Sequence, residues 1–233
     1  MGKDKLKKWQ ENKTFPHVFE PDLLPIIRKE KEFGLKGKWK SEVFRNSHPL
    51  VLELGCGKGE YTVGLAQRYP EKNFIGIDVK GHRFHKGAKE SFLAGMSNVA
   101  FLRMRIEFIE AFFASGEVDE IWITFCDPFP LDYSGRRRMT SPWYLEKYRH
   151  ICVPDFLLHL KHDNTDLHRK TRREWEGEGL LIEAASEDIY GEYQQQVDDE
   201  LRDLLSIRTF YESMWLAEGR KISYLRARNF PGK

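Results

Sequence analysis

The chain has 233 residues, 40% of them hydrophobic and 13% aromatic, enough to build the core of one large α/β domain or of a domain with a tail. Its net charge is only +2, yet residues 1–47 carry twelve Lys and Arg against seven Asp and Glu, so a basic arm of +5 precedes a body of −3; that suits a polyanionic partner or a solvated tail equally. No run of 18 apolar residues is present to span a membrane, the lysine-rich start has no apolar secretory segment, and Cys56, Cys126 and Cys152 form neither a C-x-x-C pair nor an even framework, which argues for reduced thiols in a cytoplasmic protein without a metal site.

In chain order, Pro16, Pro21 and Pro25 interrupt the arm, which is expected to be partly disordered with a short helix at 24–33. Residues 50–55 (LVLELG) read as a short buried strand and 60–69 as the helix after it. A second strand at 73–78 leads to a helix at about 81–94, and a third at 99–104 to a helix at about 107–114. The fourth strand is 120–125. Ser141 and Pro142 then supply an N-cap and a first helical residue. A fifth strand at 154–160, a helix at 166–177 and a sixth strand at 180–186 follow. Beyond a polar stretch lie a helix at 209–218, ended by Gly219, and a last strand at 222–228. Strands spaced by helices predict an α/β fold with a doubly wound, mostly parallel sheet over 48–233, behind a basic arm over 1–47.

The most informative stretch joins the first strand to its helix. Gly55, Gly57 and Gly59 occupy alternate positions, where glycine permits positive φ and close approach of a ligand to the backbone at a helix start. A dinucleotide site wants G-x-G-x-x-G, and its third glycine would fall at Glu60, which disfavours an NAD enzyme. In doubly wound sheets ligands bind beyond the carboxyl ends of the strands. The second strand ends at Asp78, 23 residues after Gly55, where a carboxylate can accept hydrogen bonds from two ribose hydroxyls. The third ends near Arg105, Ile106 and Glu107, and the fourth in Cys126-Asp-Pro-Phe-Pro130, with Arg136, Arg137 and Arg138 in the same loop.

Glu53-x-Gly55-x-Gly57-x-Gly59 resembles motif I of class I S-adenosylmethionine-dependent methyltransferases, which have a Rossmann-like fold. The Asp127-Pro-Phe-Pro run, the arginines and Thr140-Ser-Pro142 make the resemblance more specific: it is to the bacterial tRNA (guanine-N7-)-methyltransferase family, over about 48–229. The resemblance implies S-adenosylmethionine as cofactor, held by Glu53, Gly55, Gly57, Gly59, Asp78 and Asp127. It implies tRNA as partner, methylated at N7 of a variable-loop guanine, by a monomer or homodimer. Asp163 matches a substrate-contacting aspartate, and Thr209-Phe210-Tyr211-Glu212 matches T-[KE]-[FY]-E at all but Phe210. Several departures stand out. Phe129 replaces the usual Trp, Leu131-Asp132 stands where a lysine pair is usual, and Asp78 replaces a common Glu. Arg105 sits where an Asp or Asn would hold the adenine amino group; arginine has no acceptor, so that contact passes to the backbone near Ile106 or to Glu107.

Guanine N7 carries a free in-plane lone pair, so its methylation demands no general base. Asp127 is then expected to stabilise charge passing onto the purine or to orient the methionine ammonium. Asp163, Thr209 and Glu212 are expected to read the guanine edge. The arm and Arg136, Arg137 and Arg138 would meet phosphates, and Phe129 or Tyr133 would fill the gap left by an extruded base. Two rivals remain. A class I methyltransferase with another substrate would not call for the arginine run, and a non-catalytic RNA-binding relative would not need the intact turn and Asp127.

Overall fold

The computed structural model describes residues 3–129, 135–191, 197 and 199–230. The arm supplies α1 (Lys3–Asn12), a two-residue strand β1 (Val18–Phe19), α2 (Leu23–Ile27) and a π-helical turn (Trp39–Phe44). The body then runs β2 (Leu50–Leu54), α3 (Glu60–Arg68), β3 (Asn73–Asp78), α4 (Gly81–Leu93), β4 (Val99–Arg103), a 3₁₀ turn (Ile106–Ala111), β5 (Val118–Thr124), α5 (Pro142–Ile151), β6 (Cys152–His162), α6 (Thr165–Gly177), β7 (Leu181–Ser186), α7 (Asp199–Leu205), α8 (Phe210–Ala217) and β8 (Ser223–Arg228).

These strands form one sheet in the order β1-β4-β3-β2-β5-β6-β8-β7. All neighbours are parallel except those of β8, which runs antiparallel to both β6 and β7. From β2 the chain first winds through β3 and β4 to one side, then returns to β5 and winds the other way. The reversal falls between β2 and β5, which pair with Leu52 opposite Ile121, and the carboxyl ends of these two strands open the crevice expected of a doubly wound sheet.

Both faces of the sheet are covered. Leu50, Leu52 and Leu54 face one apolar layer with Trp39, Phe112, Tyr148 and Trp175; Val51 faces the other with Tyr61, Phe84, Phe101 and Trp122. The period of two along β2 puts Glu53 in that second layer, beneath α3.

The arm differs most from expectation. Its described residues are ordered against the body rather than loose. Asn12 Nδ2 donates to Gly81 O at 3.0 Å, and Glu11 meets His85 and Lys89 of α4 at 2.8 and 2.7 Å. Val18 pairs with Phe101, adding β1 to the sheet edge. Trp39 is fully buried, its indole donating to Phe112 O at 3.1 Å. β1 and the π-helical turn are too short for periodicity to register, and each anchor is stabilised by tertiary contact. Two smaller corrections concern helices. The helix expected at 107–114 is a short 3₁₀ turn, and α7 lies in the stretch read as merely polar. Ser141 has the N-cap conformation, but its hydroxyl donates to Gly135 O rather than capping α5.

Candidate active site at the carboxyl edge of the sheet

The glycine turn is tightened from within. Gly55 and Cys56 both donate to Ile77 O, at 2.8 and 2.9 Å; Gly57 donates to Asp78 Oδ2 at 3.2 Å, and Gly59 to Cys56 O at 2.8 Å. Four of the turn's five backbone donors are thus spent on the protein. The helix start is occupied as well, because the Glu53 carboxylate accepts from the Thr62 hydroxyl and backbone N–H, and from Thr124 Oγ1 at 2.6 Å. A phosphate loop keeps such donors free for its anion. This turn does not, so its chemistry suits an uncharged nucleoside or a cation rather than a pyrophosphate.

The three glycines do different work. All have positive φ, at 77°, 54° and 75°. A Cβ on Gly59 would come within 2.6 Å of the Phe101 ring, so that glycine lets α3 pack against the sheet. A Cβ on Gly57 would meet nothing closer than 4.0 Å, and Gly55 opens onto the cleft.

That cleft, about 400 Å³, is lined on one side by Gly55, Asp78, Val79 and Arg83, at its far end by Met104, Arg105, Ile106 and Glu107, and on the other side by Phe125, Cys126, Asp127 and Phe129, with Arg137, Met139 and Tyr144 closing it. Asp78 is 4% exposed; burial raises its carboxyl above the ordinary aspartate range, opposed by the N–H groups of Lys80 and Gly57. Each carboxylate oxygen still has a lone pair for a ligand. Arg105 lies on the surface with its guanidinium bound to Glu107 Oε1, and Ile106 and Glu107 both line this end of the cleft. A slightly larger hollow of about 460 Å³ lies between α2, the 3₁₀ turn and α5. It shares only Glu107 with the cleft, and its Lys36 and Lys147 are already bound to Glu110.

The Asp127 loop is held in a costly conformation. Phe125 and Phe129 have φ of 48° and 40°, a region that bulky side chains rarely enter. Two anchors on β6 hold it there. Phe125 N–H donates to Lys161 O at 2.9 Å, and His162 Nε2–H donates to Cys126 O at 2.6 Å. Asn164 N–H donates to His162 Nδ1 at 2.8 Å, which fixes the neutral tautomer; burial lowers the His162 pKa to match. Immediately after these anchored residues the Asp127 side chain stands exposed at the cleft.

Of the residues expected to hold cofactor, Gly55, Asp78, Arg105, Ile106 and Asp127 line the cleft. Glu53, Gly57 and Gly59 lie behind it, shaping the turn. Two residues expected to face substrate are turned inward. Arg138 is 2% exposed and donates through Nη2 to Glu174 of α6 at 2.6 and 2.8 Å, so only Arg136 and Arg137 are free for phosphate. Glu212 is fully buried: Oε1 takes the Lys161 ammonium and the Tyr190 hydroxyl, both at 2.7 Å, while Oε2 accepts Thr209 N–H at 3.3 Å. It completes a capping box with Thr209, and the sequence could not show that the buried Lys161 on β6 faces it. Phe210 and Tyr211 are 48% and 45% exposed at the start of α8. Asp163 accepts from Arg220 Nη1 at 2.8 Å. Leu131, Asp132 and Tyr133 lie outside the described residues. Sequence reasoning passed over Lys58 and Met139, which occupy variable positions inside the motifs, and Tyr144, Lys161 and Arg220, which packing alone brings to this region.

The family described as "Putative methyltransferase" matches residues 47–225. Among curated proteins, the tRNA (guanine-N(7)-)-methyltransferase of Bacteroides thetaiotaomicron is 47% identical over 228 residues, covering 98% of this chain and 86% of its own. That of Porphyromonas gingivalis is 48% identical over 212 residues, covering 91% and 84%. Among solved structures, a SAM-dependent methyltransferase from Aquifex aeolicus shares the fold with a TM-score of 0.52 at 14% identity, over 90% of this chain and 100% of its own.

Proposed function

The chain belongs to the tRNA (guanine-N(7)-)-methyltransferase family, and we propose that it transfers a methyl group from S-adenosylmethionine to N7 of a guanine in the tRNA variable loop. The observation that carries this is the meeting, in one cleft, of a donor-depleted glycine turn, the Asp78 carboxylate and the strained Asp127 loop. The fit to the cofactor follows from that chemistry. Asp78 suits the ribose hydroxyls, Glu107 and the backbone at Ile106 the adenine edge, and Asp127 a cationic centre opposite them. When bound, the cofactor supplies an electrophilic methyl group on a sulfonium.

The protein's part is placement and field. The guanine N7 lone pair would take up that methyl group while the C–S bonding electrons stayed with sulfur, so one positive charge would pass to the purine. No proton moves, so no side chain need act as base. Asp127 faces the charge in both the initial and final states, and its benefit grows with exclusion of water from the cleft. Phe210 and Tyr211 offer stacking faces for the extruded base, and Asp163 and Thr209 offer acceptors for its edge. Arg136 and Arg137 meet phosphates.

The test is methyl transfer from labelled S-adenosylmethionine to unmodified tRNA transcripts bearing guanine or adenine at one variable-loop position. Label on the guanine transcript alone, released by the mild cleavage 7-methylguanine allows, is the expected result. Label on neither, with cofactor bound, would move the activity to another substrate.

A further inference from the structure

Two residues tie the glycine turn to the first turn of α8, and neither lines the cleft. Glu60, the first residue of α3, accepts the backbone N–H of Phe210 on Oε2 at 2.7 Å. Its Oε1 takes the ammonium of Lys86 on α4, also at 2.7 Å. Lys58, inside the turn, sets its ammonium 3.3 Å from the centre of the Phe210 ring and 6.0 Å from that of Tyr211. The two rings meet edge to face, 5.6 Å apart at 80°.

The first four N–H groups of a helix lack internal partners, and the helix start attracts negative charge. Glu60 serves two helix starts at once, its own and that of α8. The Glu60 side chain is itself only 16% exposed, although both of its partners reach solvent. On its inner side α8 is fixed by the buried Lys161–Glu212 pair. Glu60 and Lys58 add a direct link from the glycine turn to the exposed aromatic pair.

We propose that Glu60 and Lys58 are positioning residues that couple the methyl-donor turn to the Phe210–Tyr211 pair, so that filling the donor site and capturing the tRNA guanine reinforce each other. This rests on the methyltransferase function proposed above. Donor binding stills the turn, the turn carries Lys58 and Glu60, and these hold the rings where the base must stack. A coupling of this kind is reciprocal: the factor by which donor tightens tRNA equals the factor by which tRNA tightens donor.

The experiment measures dissociation constants of an unmodified tRNA transcript with and without S-adenosylhomocysteine, which cannot react, and the converse pair. Wild type should show the same factor, about fivefold or more, in both directions. In Glu60→Ala the factor should fall to within about twofold of unity, while Glu60→Gln, which keeps an acceptor for the Phe210 N–H, should retain more than half of it. A folded Glu60→Ala protein with the full wild-type factor would overturn the coupling. If that variant does not fold, Lys58→Met, which keeps the stem without the charge, is judged by the same two outcomes. Wild type that binds both ligands with a factor of one refutes the coupling alone. Wild type that binds neither refutes the methyltransferase function instead.

Discussion

Replacing Glu53 by Gln should stabilise the protein at pH 8 while leaving it close to wild type at pH 5. Glu53 is 3% exposed beneath the glycine turn, and burial pushes its carboxyl up to about 7, against the Thr124 and Thr62 donors that favour the ion. In the unfolded chain the group ionises near 4.5. Between those values the native state holds a proton that the unfolded state has lost. Stability is therefore greatest at low pH, declines as pH rises through that window, and is flat above it. At pH 8 the ionised native carboxylate costs about 3 kcal/mol, and at pH 5 less than about 1. Glutamine occupies the same space without charge, and each threonine hydroxyl can turn to donate or accept, so its amide is satisfied. Urea unfolding of both proteins at the two pH values supplies the test. The gap in unfolding free energy between variant and wild type should widen by about 2 to 3 kcal/mol from pH 5 to pH 8. An equal gap at both pH values would refute a protonated Glu53, and a loss at pH 8 would mean that the turn needs the ion.

Asp127→Asn should lower single-turnover methyl transfer about 100-fold or more with S-adenosylhomocysteine binding kept within a few-fold; loss of cofactor binding in equilibrium dialysis would make Asp127 a cofactor ligand instead. Lys161→Met leaves the Glu212 carboxylate buried without its cation and should cost about 3 to 5 kcal/mol in urea unfolding, much of it regained in Lys161→Met/Glu212→Gln, whereas additive single effects would deny the pair. Arg136→Ala and Arg137→Ala should each reduce the salt dependence of tRNA binding by about one phosphate contact without changing the melting temperature, while Arg138→Ala should lower that temperature; the reverse pattern would put Arg138 on the RNA. His162 is held neutral with its pKa below the usual range, so its contribution to stability is present above that range and declines as pH falls through it. Asp163, at 3.3 Å, and Asp127 oppose that decline. His162→Gln should flatten the acid limb of the stability profile below about pH 6.5, and an unchanged limb would show that another group sets it.

The sequence by itself determined the order of the sheet-forming segments, because seven strands declare themselves through apolar runs bounded by turn residues, and helices between them leave a doubly wound sheet as the economical arrangement. It also located the cleft: Gly55, Asp78 and Asp127 end three strands whose carboxyl ends must lie on one edge once the sheet is parallel. Tertiary structure decided which way each side chain faces. Arg138 and Glu212 look like surface charges in the sequence, and only the opposing Glu174 and Lys161, 36 and 51 residues away, draw them inside. The arm likewise carries no periodicity that foretells β1 or the burial of Trp39, since those depend on partners at Phe101 and Phe112. The physical reason is common to all of these cases. Backbone preference and burial pattern are local and readable along the chain, whereas a buried charge or a short anchoring segment is stable only through a partner distant in sequence, whose position exists once the sheet has formed.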